Sequence, residues 1–152
     1  MKKYLLVIIA PFLFISCGTT PASNVAPNID FSQYSFAAMG TAITGSAVIL
    51  NEAHMQIQNA LISLGFNVIT DTRIRDLNPE QRSRLFIVEI SISSDASGAV
   101  CLISFTDHLS NNLIGTFRGS SSWGWTVAAN QRGAVNSAIR QMENGIRNNM
   151  GR

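Results

Sequence analysis

From Arg84 to Gly119 apolar and polar residues alternate in three successive runs. Phe86, Val88, Ile90 and Ile92 share one face of the first run, with Glu89, Ser91 and Ser93 on the other, the period of two that marks a half-buried strand. Asp95-Ala96-Ser97-Gly98 predicts a tight connection, and Ala99 to Thr106 alternates again. The polar stretch Asp107 to Asn111 turns the chain, and Leu113 to Arg118 forms a third strand, so an antiparallel meander with one apolar face is predicted. Upstream, Tyr34, Phe36 and Ala38 alternate within a first strand over Ser32 to Met39. Ser46 can cap a helix running to Leu64, whose Ile49, Ala53, Ile57, Ala60, Leu61 and Leu64 make one broad apolar face. Gly65 ends it, and Phe66 to Thr70 predicts a short strand parallel to the first.

Asn78-Pro79-Glu80-Gln81 is a helix-start signature, with Asn78 as cap and Gln81 at the third position. A last helix is predicted from about Val127 to Asn148, with a narrow stripe of Val135, Ala138, Ile139, Met142 and Ile146 and an i,i+4 pair, Glu143 and Arg147. The expected fold is α+β, a two-layer sandwich. It has a mixed, mainly antiparallel sheet of about five strands in the order β-α-β-β-β-β-α, with two helices on one face.

The N-terminus changes the picture from fold to address. Met1-Lys2-Lys3 is a basic start, and Tyr4 to Ile15 is an apolar run too short for a permanent transmembrane helix, the outline of a secretory signal. Phe14-Ile15-Ser16-Cys17 resembles the bacterial lipobox, in which the cysteine is lipidated and becomes the mature N-terminus. An ordinary signal peptide with a bystander cysteine, or an uncleaved anchor, is the alternative. Residues 1–16 are thus expected to be a lipoprotein signal peptide, 17–28 a flexible tether after lipidated Cys17, and 29–150 a single periplasmic domain. A diacylglycerol and an amide-linked chain on Cys17 would hold the protein on a membrane without a spanning helix. Gly18 after the cysteine, by resemblance to Gram-negative sorting, implies the outer membrane.

Charge then narrows the partners. Lys2 and Lys3 are the only lysines, so removing the signal takes eleven cationic side chains to nine, against nine acidic ones. A neutral domain without clustered cations argues against nucleic acid. Arg73, Arg75, Arg82 and Arg84 form one local group among Asp71, Asp76 and Glu80, read as a solvated loop, with an anionic partner as the alternative.

The run Ile29-Asp30-Phe31-Ser32-Gln33-Tyr34-Ser35-Phe36, followed by a helix ending Ala60-Leu61-Ile62-Ser63-Leu64-Gly65-Phe66, carries a resemblance. It resembles the D-F-S-x-Y strand and L-x-x-x-G-F helix end of a Gram-negative periplasmic lipoprotein family known only as a domain of unknown function. The resemblance covers about Asp30 to Phe117 and implies an envelope lipoprotein fold with no catalytic residue to transfer.

Candidates for chemistry are sparse. Gly40 to Ala47 has the G-x-x-x-x-G spacing of a phosphate loop, but Ser46 and Ala47 stand where lysine and the magnesium-binding hydroxyl belong, so no nucleotide is expected. His54 and His108 have no second ligand at metal spacing, and no metal or cofactor is expected. Cys101 lies on the strand face of Ala99, Ile103 and Phe105, as a buried apolar side chain would. Two surfaces point instead to binding. Val48, Met55 and Ile62 recur every seven residues opposite the main face of the first long helix, a second stripe that needs a cover. The Ala-rich last helix is the first candidate for that cover, the tether or a partner the others. Trp123 and Trp125 flank Gly124 so that at most one should face the core, leaving the other as an anchor for protein or glycan.

Together these features predict an outer-membrane-anchored lipoprotein facing the periplasm. Its small domain is expected to bind an envelope protein and to lack catalysis of its own. The alternatives are an envelope hydrolase acting on cell wall or lipid through separated Ser, His and Asp, and a subunit of a multimeric envelope complex.

Overall fold

The computed structural model describes residues 22–40 and 46–151. A six-stranded sheet in the order β1-β6-β5-β4-β2-β3 carries two long helices packed on one face. The strands are β1 (Ser23–Val25), β2 (Phe36–Met39), β3 (Asn67–Thr70), β4 (Leu85–Asp95), β5 (Gly98–Asp107) and β6 (Leu113–Ser121). The helices are α1 (Ala47–Ser63), the short α2 (Pro79–Ser83) and α3 (Val127–Arg147). The expected two-layer α+β architecture and its β-α-β-β-β-β-α order are present, with one more strand in front.

The meander forms as its alternation requires. Val88 pairs with Phe105, Ile90 with Ile103 and Ile92 with Cys101, which puts the apolar residues of β4 and β5 on the same face. Across the next ladder Ile103 faces Phe117 and Cys101 faces Gly119. All of these residues except the glycine belong to one buried core, to which α1 adds Ile49, Ala53, Ile57, Ala60 and Leu61 and α3 adds Val135, Ala138, Met142 and Ile146. Ile139, expected in the α3 stripe, packs only partly buried at its edge.

β2 runs parallel to both β3 and β4, so the β2-α1-β3 crossover exists as expected. α1 closes with paired turn bonds, from the Gly65 amide to the Ile62 carbonyl and from the Phe66 amide to the Leu61 carbonyl, and Gly65 takes the positive φ of 96° that this stop requires. Asn78 caps α2 in the expected reciprocal box with Gln81, after a 3-10 segment at Asp71–Asp76.

Four expectations are corrected. The first strand does not run from Ser32. Phe31–Gln33 is a 3-10 turn started by the Asp30 carboxylate, and only Phe36–Met39 is extended. Ala37 and Ala38 are both buried in place of strict alternation, because β2 lies between two parallel neighbours and is covered on both faces. The tether reading of 17–28 does not extend to its C-terminal part. Ser23–Val25 pairs with β6, where the Ala22 carbonyl accepts from the Arg118 amide at 2.9 Å and the Ala26 amide donates to the Ile114 carbonyl at 3.0 Å. Backbone pairing of an open strand edge needs no apolar side chains, which is why composition did not reveal it. Glu143 and Arg147 are not among the ion pairs of the described residues. The Arg132 guanidinium instead binds the Glu52 carboxylate at 2.7 and 2.8 Å and ties α3 to α1.

Among the glycines of the described residues, the closest approach lies between β6 and α3 at Gly119. A side-chain carbon at Gly119 would collide with the Ala134 carbonyl and the Ala138 amide. Helix backbone therefore rests directly on strand backbone. Gly119→Ala should force α3 off the sheet and destabilise the fold by about 1–3 kcal/mol or more, read from the urea midpoint.

The β5–β6 turn gives a pH dependence. Burial would raise the Asp107 pKa, yet hydrogen bonds from the Ser110 amide and hydroxyl, the Tyr34 hydroxyl and the Leu109 amide hold it below the ordinary 3.8. A depressed folded-state pKa contributes stability that is present above the unfolded-state value and is lost as pH falls through the folded-state one. The urea midpoint should hold from neutral pH down to about 4 and fall below it, and Asp107→Asn should lower the neutral-pH midpoint and flatten the acid fall.

Candidate functional site

Two of the sequence candidates meet on one loop. Trp123 and Trp125 are 94% and 101% exposed, so neither packs beneath the loop, within the bound of at most one facing the core. The physical reason is Gly124. Its amide donates to the Asn130 carboxamide oxygen at 2.6 Å, and any side-chain carbon there would press on Asn130 and Ala129. The loop backbone is thus pinned to the first turn of α3, while Thr126 caps that helix through the Ala129 amide at 3.1 Å. With the glycine turned inward, both indoles project out. Val127, two residues on, is exposed as well.

Beside Trp123 lies a cleft of about 430 Å³ between the β4–β5 hairpin and the end of β6, lined by serines from β4, the hairpin turn and β6 together with Asp95 and Arg118. Gln131, buried on α3, donates to the Ser94 hydroxyl at 3.2 Å and links the cleft wall to the helix that holds the tryptophans. Asn130 and Gln131 escaped notice in the sequence. The readable signal was Thr126 three residues before Ala129, which marks the helix start and hence which polar residues sit in its first turn.

The second candidate surface is the outer side of α1. Val48, Met55 and Ile62 are 63%, 60% and 52% exposed. The expected cover by the last helix is corrected. α3 packs over β4, β5 and β6 and meets α1 from the side at Glu52, leaving the outer stripe open.

The residues weighed for chemistry lie apart. Cys101 is fully buried and burial pushes its thiol up to about 12, so it stays a neutral apolar filler. His108 sits in the β5–β6 turn, its amide bonded to the Leu85 carbonyl, and His54 lies on α1. Among the described residues no group of three or more His, Cys, Asp and Glu could hold a metal ion. The arginine group mostly binds backbone carbonyls. Arg82 reaches those of Leu77 and Arg75, Arg75 that of Thr72, and Arg84 that of Gln33, so these guanidiniums brace the connection between β3 and β4. Cys17 and the 41–45 part of the G-x-x-x-x-G loop lie outside the described residues.

No protein-family model matches the chain, and no curated protein matches it in sequence. Its fold does match solved structures. A single-substitution variant of PelC from Paraburkholderia phytofirmans, a dodecamer, superposes with a TM-score of 0.55 at 13% identity, over 82% of this chain and 96% of that one. A second PelC dodecamer from the same organism gives 0.53 at 9% identity, over 82% and 94%. At such identities the likeness is one of fold.

The two tryptophans are the only ones in the chain, so intrinsic fluorescence reports on this loop alone. The full chain carrying Cys17→Ser, free in buffer, should emit near the wavelength of free indole and be quenched efficiently by acrylamide. Gly124→Ala should destabilise the loop and the first turn of α3.

Proposed function

We propose that this chain is an outer-membrane lipoprotein, held by lipid on Cys17, whose small periplasmic domain works by binding and assembles with copies of itself. The observation that carries the reading is the direction of β1. Ser23 pairs with Phe117 and Ala22 with Arg118, so β1 begins, at Ala22, on the side of β6 nearer its C-terminal end, where Trp123 and Trp125 follow. Cys17 stands five residues before Ala22, a reach of at most about 18 Å. A lipid on Cys17 would thus attach within that distance of Ala22, which supports placing the anchor and the exposed indoles at one end of the sheet. Indole rings suit the membrane–water boundary, apolar over most of their surface and polar at the N–H. In this reading the Trp loop rests on the membrane that the lipid enters, a pinned platform that limits how the domain can tilt.

Assembly is supported by the open stripe on α1 and by the fold likeness to PelC, a protein solved as a dodecamer. An apolar strip more than half exposed on a small domain gains by burial, and each such side chain contributes about 1.5–3 kcal/mol when fully covered. A stripe on one side of the domain packing against a different surface of the next copy generates a closed ring when the rotation closes. The partner bound by the stripe is then a second copy.

The test uses the full chain, exported in a Gram-negative host and extracted in mild detergent. Mass spectrometry should find Cys17 acylated at the mature N-terminus. Light scattering should give a discrete multimer, and Met55→Glu should weaken its association by about tenfold or more, about 1.4 kcal/mol, with circular dichroism unchanged. An unmodified Cys17 would remove the anchor, and a monomer at all concentrations would remove the assembly.

A further inference from the structure

The carboxyl ends of β2 and β3 frame a cleft of about 420 Å³ that the reading above does not use. Its position follows from topology. The chain leaves β2 through α1, on the core face of the sheet, and leaves β3 toward β4, which lies on the far side of β2. A right-handed parallel crossover in that opposite direction passes over the other face, and the Asp71–Asp76 segment packs against β2 and β3. Ala38 lies in register with Ile87 on that face, away from the apolar core side, and is nonetheless fully buried. Two adjacent parallel strands whose connections diverge to opposite faces leave a crevice at their carboxyl ends, the place where open α/β sheets take ligands.

Two groups in the crevice have hydrogen-bonding capacity to spare, while the Thr70 hydroxyl is shared with Thr72. The Nε2 atom of His54 is buried without a hydrogen-bond partner, an unusual state for a polar atom. Burial lowers the pKa of that imidazole, so it is neutral near pH 7 and can donate from Nε2. Arg73 also lines the cleft, held only by a long 3.7 Å contact to Asp76, with its side chain 70% exposed. Gln58 and Thr70 bring further polar groups, and Asp71 stands among them with the opposite charge.

We infer that this cleft binds a small soluble oxyanion, a phosphate or carboxylate group, between the Arg73 guanidinium and the His54 Nε2–H, with Asp71 able to accept a hydroxyl of the same molecule. Guanidinium and imidazole N–H groups are donors without competing acceptors, which suits an anionic oxygen. That the oxyanion is soluble rests on the orientation proposed above, in which the membrane lies at the tryptophan end and a headgroup is not the occupant. Met39 at the end of β2 pairs with Val88, seven residues before Asp95 at the hairpin tip, so the cleft lies about 23 Å along the sheet from that tip.

The chain has two histidines, which makes the test direct. The full chain in detergent micelles is titrated with inorganic phosphate, and separately with acetate, at fixed pH and ionic strength, while the imidazole signals are followed by NMR. The His54 signals should shift and saturate with at least one probe, with His108 unmoved as the internal control, and the more tightly bound probe identifies the anion. Arg73→Ala, an exposed substitution that should not disturb folding, should weaken binding at least about tenfold, and Asp71→Asn should strengthen it. Absence of a saturating His54 shift with either probe would overturn the inference, as would a shift that Arg73→Ala leaves unchanged.

Discussion

The direct seating of the α3 backbone on β6 is the constraint from which the rest of the structure follows. At Gly119 the helix and strand approach with no side chain between them, and at Gly145 the helix makes room for the Phe117 ring. A helix seated this deeply occupies the face of β4, β5 and β6 and meets α1 only along its flank. α1 is left over the short parallel part of the sheet with its outer side bare, and the Glu52–Arg132 pair joins the two helices where apolar contact gives out. The same seating fixes the start of α3, and Gly124 bonded to Asn130 carries the tryptophan loop with it. Both surfaces offered for binding thus trace to one close approach.

Around that contact the core is organised by aromatic rings. Phe31, Phe86, Phe105 and Phe117 form a cluster of neighbours with centroids 4.7 to 6.4 Å apart, and Tyr34 and Phe66 lean edge-on against Phe86. The cluster crosses from the parallel to the antiparallel half of the sheet and makes them one body. Tyr34 shows how the polar end of such a ring is satisfied. Its hydroxyl donates to Asp107, and burial together with that charge pushes its pKa up to about 12, so it remains a neutral donor.

Periodicity carried most of this fold in legible form, because the meander and α1 each bury a single face and therefore repeat with one period. It failed where that condition failed. β2 is covered on both sides, so Ala37 and Ala38 could not alternate, and Phe31 is buried from a 3-10 turn that has no period of its own. β1 joins the sheet through backbone groups alone, which side-chain identity does not encode. The α1 stripe could be seen in the sequence but not whether it was covered, since that depended on the glycine contact that sets the position of α3. For the tryptophans the alternation around Gly124 was visible, whereas the inward pull of Asn130 that turns both rings outward was a tertiary contact.

The orientation of the domain toward a membrane joins the anchor, the direction of β1 and the tryptophan loop into one proposal. It is tested most directly by the fluorescence of the full lipidated chain reconstituted in vesicles whose lipids carry bromine at graded depths. The account expects emission shifted to the blue of free indole and quenching strongest for bromine near the headgroups, with the effect lost in the Trp123→Ala, Trp125→Ala double variant. Emission unchanged from that of the soluble Cys17→Ser chain, with no quenching at any depth, would contradict it.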